Sequence, residues 1–146
     1  MSEEILSHSE TETLTLAASL AKECRPGFVV ALQGDLGTGK TVFARGMVQA
    51  LTHAEEVTSP TFTLMHLYDA MLPGGYSCPL WHCDLYRLQD AREVHVLGLH
   101  EAAEQGILII EWPRLALEFL TPDVIVSLYQ GSTLQARRIT IERTST

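Results

Sequence analysis

A chain of 146 residues is the size of one compact domain, which excludes machinery built from several folded units. With 46% apolar and 19% charged residues it can build a real core and lies far from the composition of disordered chains. Ten basic residues against eighteen acidic ones leave a net charge of -8, so the molecule repels a phosphate backbone at long range. Any nucleic-acid contact is then local or carried by a partner.

Residues 1–12 are acidic and polar, without the basic stretch and apolar segment of a secretory signal. No apolar run approaches the ~20 residues that span a bilayer, so the expectation is a cytoplasmic protein with no membrane contact. Cys24, Cys78 and Cys83 are odd in number, which points to reduced thiols. From Ser9 to Cys24, Leu14, Leu16, Ala17, Leu20, Ala21 and Cys24 fall on one helical stripe, with Thr11 or Ser9 as cap. Arg25-Pro26-Gly27 breaks that helix, and Phe28 to Leu32 is a short apolar run typical of strands buried on both faces. After a loop, Gln33 to Gly39, helical spacing returns from Lys40 to Leu51. Thr61 to Tyr68 alternates as a strand does, Pro73-Gly74-Gly75 marks a hairpin or a solvent excursion, and Leu80 to Tyr86 predicts the next strand. Asp90 to Gln105 predicts a helix interrupted near Gly98, Ile107 to Ile110 a buried strand, and Arg114 to Leu120 a short helix. Val124 to Tyr129 and Arg138 to Arg143 alternate like strands at a sheet edge with one wet face. The pattern is α/β.

Gly34-Asp35-Leu36-Gly37-Thr38-Gly39-Lys40-Thr41 fits G-x-x-x-x-G-K-[ST] at every fixed position and lies between an apolar strand and an amphipathic helix. In such a loop the glycines let backbone N–H groups turn toward phosphate oxygens, and the helix N-terminus adds partial positive charge. Lys40 reaches the β- and γ-phosphates, and the Thr41 hydroxyl can ligate Mg²⁺. Only two lysines occur in the chain, Lys22 and Lys40, so one of them at this position argues against chance.

A phosphate loop also needs a carboxylate at the end of a neighbouring strand. Asp84, after Leu80 to Cys83, and Glu111, after Ile107 to Ile110, are both candidates. The chain contains no asparagine, so it lacks the N-K-x-D segment with which guanine-specific proteins commonly read their base, and ATP is the expected nucleotide. Cys78, His82 and Cys83 lack the second ligand pair of a zinc site, and free cysteines usually behave as small buried hydrophobes. Arg137, Arg138 and Arg143 form a small basic tail, either a solvated edge strand or a phosphate or RNA contact.

Together with the glycine loop, Ser59-Pro60-Thr61-Phe62-Thr63, His82-Cys83-Asp84-Leu85-Tyr86-Arg87 and Glu111-Trp112-Pro113 resemble, in order and spacing, the signatures of the TsaE family, also known as YjeE. That resemblance covers most of the chain. It implies a single P-loop NTPase domain over residues 1–146, with a mixed parallel and antiparallel central sheet flanked by helices. It further implies a small bacterial ATPase needed for threonylcarbamoyladenosine (t6A) at position 37 of tRNAs reading ANN codons. Such a protein acts on the heterodimer of TsaB and TsaD, hydrolyses ATP to support multiple turnover, and touches tRNA indirectly or weakly.

By position, the resemblance makes Ser59 to Thr63 a switch-like loop near the γ-phosphate, Thr41 and Glu111 magnesium ligands, and Asp84 a Walker-B-type acid. Trp112 steadies that acidic corner, Arg137 reaches the nucleotide, the segment around Glu10 approaches the adenine, and Arg87 is the candidate arginine finger. Thr38 stands where many members carry alanine. Two other readings stay open: a small-molecule kinase, which usually needs an arginine-bearing lid and against which the absence of a basic residue in the Ala70 to Pro79 loop counts, and a nucleotide-gated binding module.

Overall fold

The computed structural model describes residues 2–52 and 64–144, so the expected switch-like loop Ser59 to Thr63 lies outside the described residues. Seven strands form one sheet in the order β1-β7-β6-β2-β5-β4-β3. Its centre is β2 (Val29–Gln33), which pairs in parallel with β5 (Ile107–Glu111) on one side and β6 (Val124–Gln130) on the other. β4 (Ser77–Asp84) joins β5 in parallel, and β3 (Met65–Met71) closes that margin as an antiparallel hairpin partner. At the opposite margin β7 (Arg137–Arg143) runs antiparallel to β6, and β1 (Ser2–Ser7) runs antiparallel to β7. The mixed sheet therefore has a parallel centre and antiparallel borders.

Continuous apolar runs are what a strand covered on both faces needs, and β2 and β5 have them. Val30, Leu32, Ile107 and Ile109 point to one cluster, where α1 (Glu10–Ala21) and α2 (Lys40–Thr52) pack through Ala17, Leu20, Phe43 and Met47. Val29, Leu108 and Ile110 point the other way, against α3 (Ala91–Val96), α4 (Leu99–Gln105) and a 3₁₀ turn (Pro113–Glu118), through Val94, Leu99, Leu115 and Ala116. The interrupted helix is the pair α3 and α4, with Gly98 between them at φ 73°. Ser9 caps α1: its hydroxyl accepts from the Glu12 amide at 3.1 Å, and the Glu12 carboxylate accepts the amide of the preceding residue, His8, at 2.8 Å, a variant of the capping box shifted by one residue.

Three expectations need correction. Residues 2–7 form a strand, β1, that the acidic N-terminus conceals, because edge strands are marked by charge rather than by apolar alternation. β7 is therefore not a sheet edge. Arg138 and Arg143 face Glu4 (3.6 Å) and Glu3 (2.8 Å) on β1, and Arg143 also pairs with Glu23 at 2.6 Å. The Ala70 to Pro79 segment is not a loop throughout, since it comprises the ends of β3 and β4 and the turn joining them, closed by a Leu72 amide to Tyr76 carbonyl bond of 2.7 Å. That turn precedes β4, so it lies at the end of the sheet opposite the loop that follows β2.

Cys78 and Cys83 sit an odd number of residues apart on β4 and enter opposite cores. One metal ion cannot be shared between them, and no group of three ligating side chains suited to a metal occurs among the described residues. All three thiols are free and buried; burial raises Cys24 to about 12 and holds it protonated. Among the described residues no helix is long and apolar enough to cross a membrane.

Helices α1 and α2 approach closely at Gly46, where an added Cβ would stand 2.8 Å from the Ala17 Cβ and 3.2 Å from the Leu14 carbonyl oxygen. Gly46→Val is expected to force the two helices apart, at about 1–3 kcal/mol for overpacking. Thermal melts should show Tm lowered by roughly 3–10 °C; an unchanged Tm would contradict this packing.

Candidate functional site

The glycine loop leaves the carboxyl end of β2 and opens α2. Gly34, Gly37 and Gly39 have φ of 148°, 79° and 99°, values that side-chain-bearing residues rarely adopt. Gly34 is also sterically obligatory, since a Cβ there would lie 2.4 Å from the Leu128 carbonyl oxygen of β6. The loop is closed from within: the Thr38 hydroxyl donates to the Asp35 carbonyl at 2.7 Å and the Thr38 amide to the same oxygen at 3.3 Å. Threonine at this position thus adds a bond that alanine cannot make. Leu36 stands exposed at the tip. The amides of Gly37, Gly39, Lys40 and Thr41 find no acceptor among the described residues, which is the state of a helix N-terminus prepared for an anion.

Lys40 is 5% exposed. Its ammonium donates to the carbonyl oxygens of Gly34 (2.6 Å) and Asp35 (2.9 Å) and lies 4.0 Å from the centre of the Trp112 ring. Burial draws its pKa below the ordinary lysine value, and the carboxylates of Glu111, Asp84 and Asp35 oppose that shift. Trp112 reaches this place from a left-handed backbone, φ 55°, and its ring also meets Tyr86 at 4.8 Å between centroids. Trp112 thus lies as a floor under the Lys40 ammonium.

The two candidate acids lie side by side, because β4 and β5 pair with Asp84 opposite Glu111. Both face α2. Glu111, 1% exposed, accepts the Thr41 hydroxyl at one oxygen (2.9 Å) and His82 Nε2 at the other (2.7 Å). Burial pushes the Asp84 carboxyl above the usual carboxylate range; the Tyr86 amide that it accepts at 2.9 Å opposes this, and the Glu111 charge adds to it. His82 is the member of this cluster that sequence reasoning missed. The signal was present in the H-x-D spacing, which puts His82 on the same strand face as Asp84.

Arg137 also comes to the loop, from β7. Its guanidinium donates to the carbonyls of Thr38 (2.9 Å) and Gly37 (3.2 Å), and to Leu134 and Ala136 at 2.8 Å each. It braces the outside of the loop, and its positive charge lies beside the free amides. Glu10 pairs with Arg45 at 2.6 Å and borders a cavity of about 310 Å³ shared with Thr13, Gly39, Val42, Leu134 and Arg137. A second cavity, of about 380 Å³, lies on the other side of the loop, between Gln33, Asp35, Tyr86, Trp112, Arg114 and Tyr129. Arg87 is exposed and has neither a hydrogen bond nor an ion pair among the described residues, so the structure does not bring it into the cluster.

The raised Asp84 pKa means that the ionised form is disfavoured in the folded chain, so Asp84 contributes less stability as pH rises through its folded value. Asp84→Asn should therefore raise Tm at pH 7 in magnesium-free buffer. The gain should shrink as the pH falls toward the ordinary carboxylate range, where Asp84 is itself protonated. Melts across that range check this, and a gain that grows on acidification would be the wrong sign.

A sequence profile of the threonylcarbamoyl adenosine biosynthesis protein TsaE matches residues 7–141. The tRNA threonylcarbamoyladenosine biosynthesis protein TsaE of Rickettsia conorii is 38% identical over 119 residues, covering 81% of this chain and 65% of that protein. This chain thus matches just under two thirds of the rickettsial protein's length. The TsaE protein of Bacillus subtilis is 37% identical over 131 residues, 88% of this chain and 78% of that protein. In three dimensions the crystal structure of Bacillus subtilis YdiB superposes with a TM-score of 0.78 at 28% identity, covering 99% of this chain and 87% of the other. A glycine-loop fold with antiparallel borders, matched along nearly its whole length by the TsaE profile and by TsaE proteins of two bacteria, makes this chain a member of the TsaE family.

Proposed function

We propose that the chain binds ATP with Mg²⁺ in the glycine loop and hydrolyses it slowly, in support of t6A formation at position 37 of tRNAs reading ANN codons, and that it acts on the TsaB–TsaD complex. The observation that carries this reading is the row of unpaired amides at the start of α2, turned toward a corner where Thr41 meets a buried carboxylate. Triphosphate oxygens fit the amides and the Lys40 ammonium. The cavity bordered by Glu10, Gly39 and Arg137, on the α1 side of the loop, would take the nucleoside.

The donor set of the corner suits magnesium, a hard cation that takes one or two carboxylates and fills its shell with water and phosphate oxygens. Thr41 and Glu111 would hold it, with Asp84 beside them. When bound, the ion neutralises charge on the β- and γ-phosphate oxygens. Lys40 shares that task from the protein side. Asp84, half-exposed and with its proton affinity raised by burial, is suited to orient an attacking water and take up its proton. Neither arginine to which the resemblance gives a nucleotide role offers a free guanidinium for charge on the transferred group: Arg137 is engaged with loop carbonyls, and Arg87 stands outside the cluster. An incomplete site of this kind turns over slowly until a partner completes it, and the cavity between Tyr86, Trp112 and Tyr129 leaves room for a partner's side chain beside the phosphates.

The decisive experiment is a reconstituted t6A reaction lacking only its ATPase component. Addition of this chain should restore modification, and failure in an otherwise competent mixture removes the assignment. ATP turnover should rise when TsaB and TsaD are added; equal rates contradict the partner reading, and ADP release that depends on a metabolite acceptor favours a kinase instead. Lys40→Ala should weaken ATP binding by at least about ten-fold, since a charge-assisted contact is lost. Calorimetry on folded variant tests it, and retained wild-type affinity would refute the role of Lys40.

A further inference from the structure

We infer that His82 is a positioning residue for Glu111, holding the carboxylate so that the oxygen it shares with Thr41 stays presented to the metal of a bound nucleotide. The inference rests on the metal reading above and adds to it a residue with no direct contact to the ligand. His82 and Glu111 are nearly inaccessible, with side-chain exposures of 1% and 2%. A carboxylate has no proton to give, so the 2.7 Å contact is a donation from the imidazole Nε2–H. Glu111 therefore has one donor for each oxygen, Thr41 from α2 and His82 from β4, and cannot turn without breaking one of them.

The other imidazole nitrogen makes the case that His82 is kept for this bond. Nδ1 is buried with no hydrogen-bond partner among the described residues, an arrangement that a core position normally avoids. The positions next to it in the core on this face of β4 and β5, Leu80, Ile107 and Ile109, are aliphatic, and an aliphatic residue at 82 would leave no orphaned nitrogen. What it could not do is donate to Glu111. A partner of this kind, which orients a metal ligand from behind, typically changes metal affinity by 10–100-fold when removed.

The test compares the binding of fluorescent N-methylanthraniloyl-ADP with Mg²⁺ and with EDTA. His82→Leu should leave affinity in EDTA unchanged but raise the Mg²⁺ concentration for half-maximal response by roughly 10–100-fold. His82→Gln, whose side-chain N–H can meet the same oxygen, should keep the wild-type response to within about three-fold. The inference is overturned if His82→Leu responds to Mg²⁺ as the wild type does, if both variants lose the response equally, or if His82→Leu also loses affinity in EDTA. A wild-type chain whose affinity ignores Mg²⁺ overturns the metal reading and this inference together, and shows it before any variant is compared. Should His82→Leu not fold, the unaltered protein still decides: the His82 Nε2–H resonance should shift when Mg²⁺ is added to the ADP-bound chain, and an unmoved resonance overturns the role.

Discussion

The loop between β2 and α2 is held in a backbone conformation that only glycine tolerates, and everything at the site hangs from that. At Gly34 the requirement is double, because the dihedral is left-handed and β6 passes so near that a Cβ would meet the Leu128 carbonyl at 2.4 Å. The parallel pairing of β2 with β6 sets that approach, so sheet and loop are one constraint. With the carbonyls of Gly34 and Asp35 occupied by Lys40 and those of Gly37 and Thr38 by Arg137, what the loop offers at the start of α2 is its amides. An anion is the ligand that such a surface selects.

Opposite these amides the sheet presents two neighbouring carboxylates. Glu111 is buried but satisfied by Thr41 and His82, whereas Asp84 is lifted from its usual proton affinity by burial and by Glu111. Two acids in register are a poor choice for stability and a good one for drawing in a cation. Trp112 and Lys40 add to this tension: a lysine is desolvated against an indole ring, and its attraction to three carboxylates offsets part of the loss. Strain gathered at one end of an otherwise well-packed sheet is how a binding site differs from a core.

Local chemistry was legible in the amino-acid order and distant pairing was not. The strand, loop and helix around residues 34–41 announce themselves because glycine, lysine and threonine act within a few residues of one another. The helix interrupted at Gly98 and the buried strand ending in Glu111 were readable for the same reason. β1 was hidden since its six residues carry two glutamates and little apolar alternation, and the misplacement of β7 at the edge followed from it. The fate of Arg138 and Arg143 depended on that unseen strand. His82 was passed over because its partner lies 29 residues away, and only the β4–β5 register brings the two together. The resemblance links Arg137 to the nucleotide, and that its donors also brace the loop carbonyls is a detail that side-chain geometry decides.

An acidic chain that holds a polyanion must do so by short-range means. At a net charge of -8 the far field opposes ATP and opposes tRNA much more, because repulsion accumulates along a phosphate backbone. In the proposed function a nucleotide would overcome this with a handful of amides, one lysine and a divalent cation that cancels part of its own charge. A tRNA has no such route, since it needs a broad row of cations, and β7 does not supply one: Arg138 and Arg143 already face Glu4, Glu3 and Glu23, and Arg137 is turned to the loop. Charge distribution thus favours the form of the proposed function in which the nucleic acid is held by the partner complex. In that form of the proposal this chain would contribute a nucleotide-dependent surface, and its negative charge would oppose direct contact with the RNA.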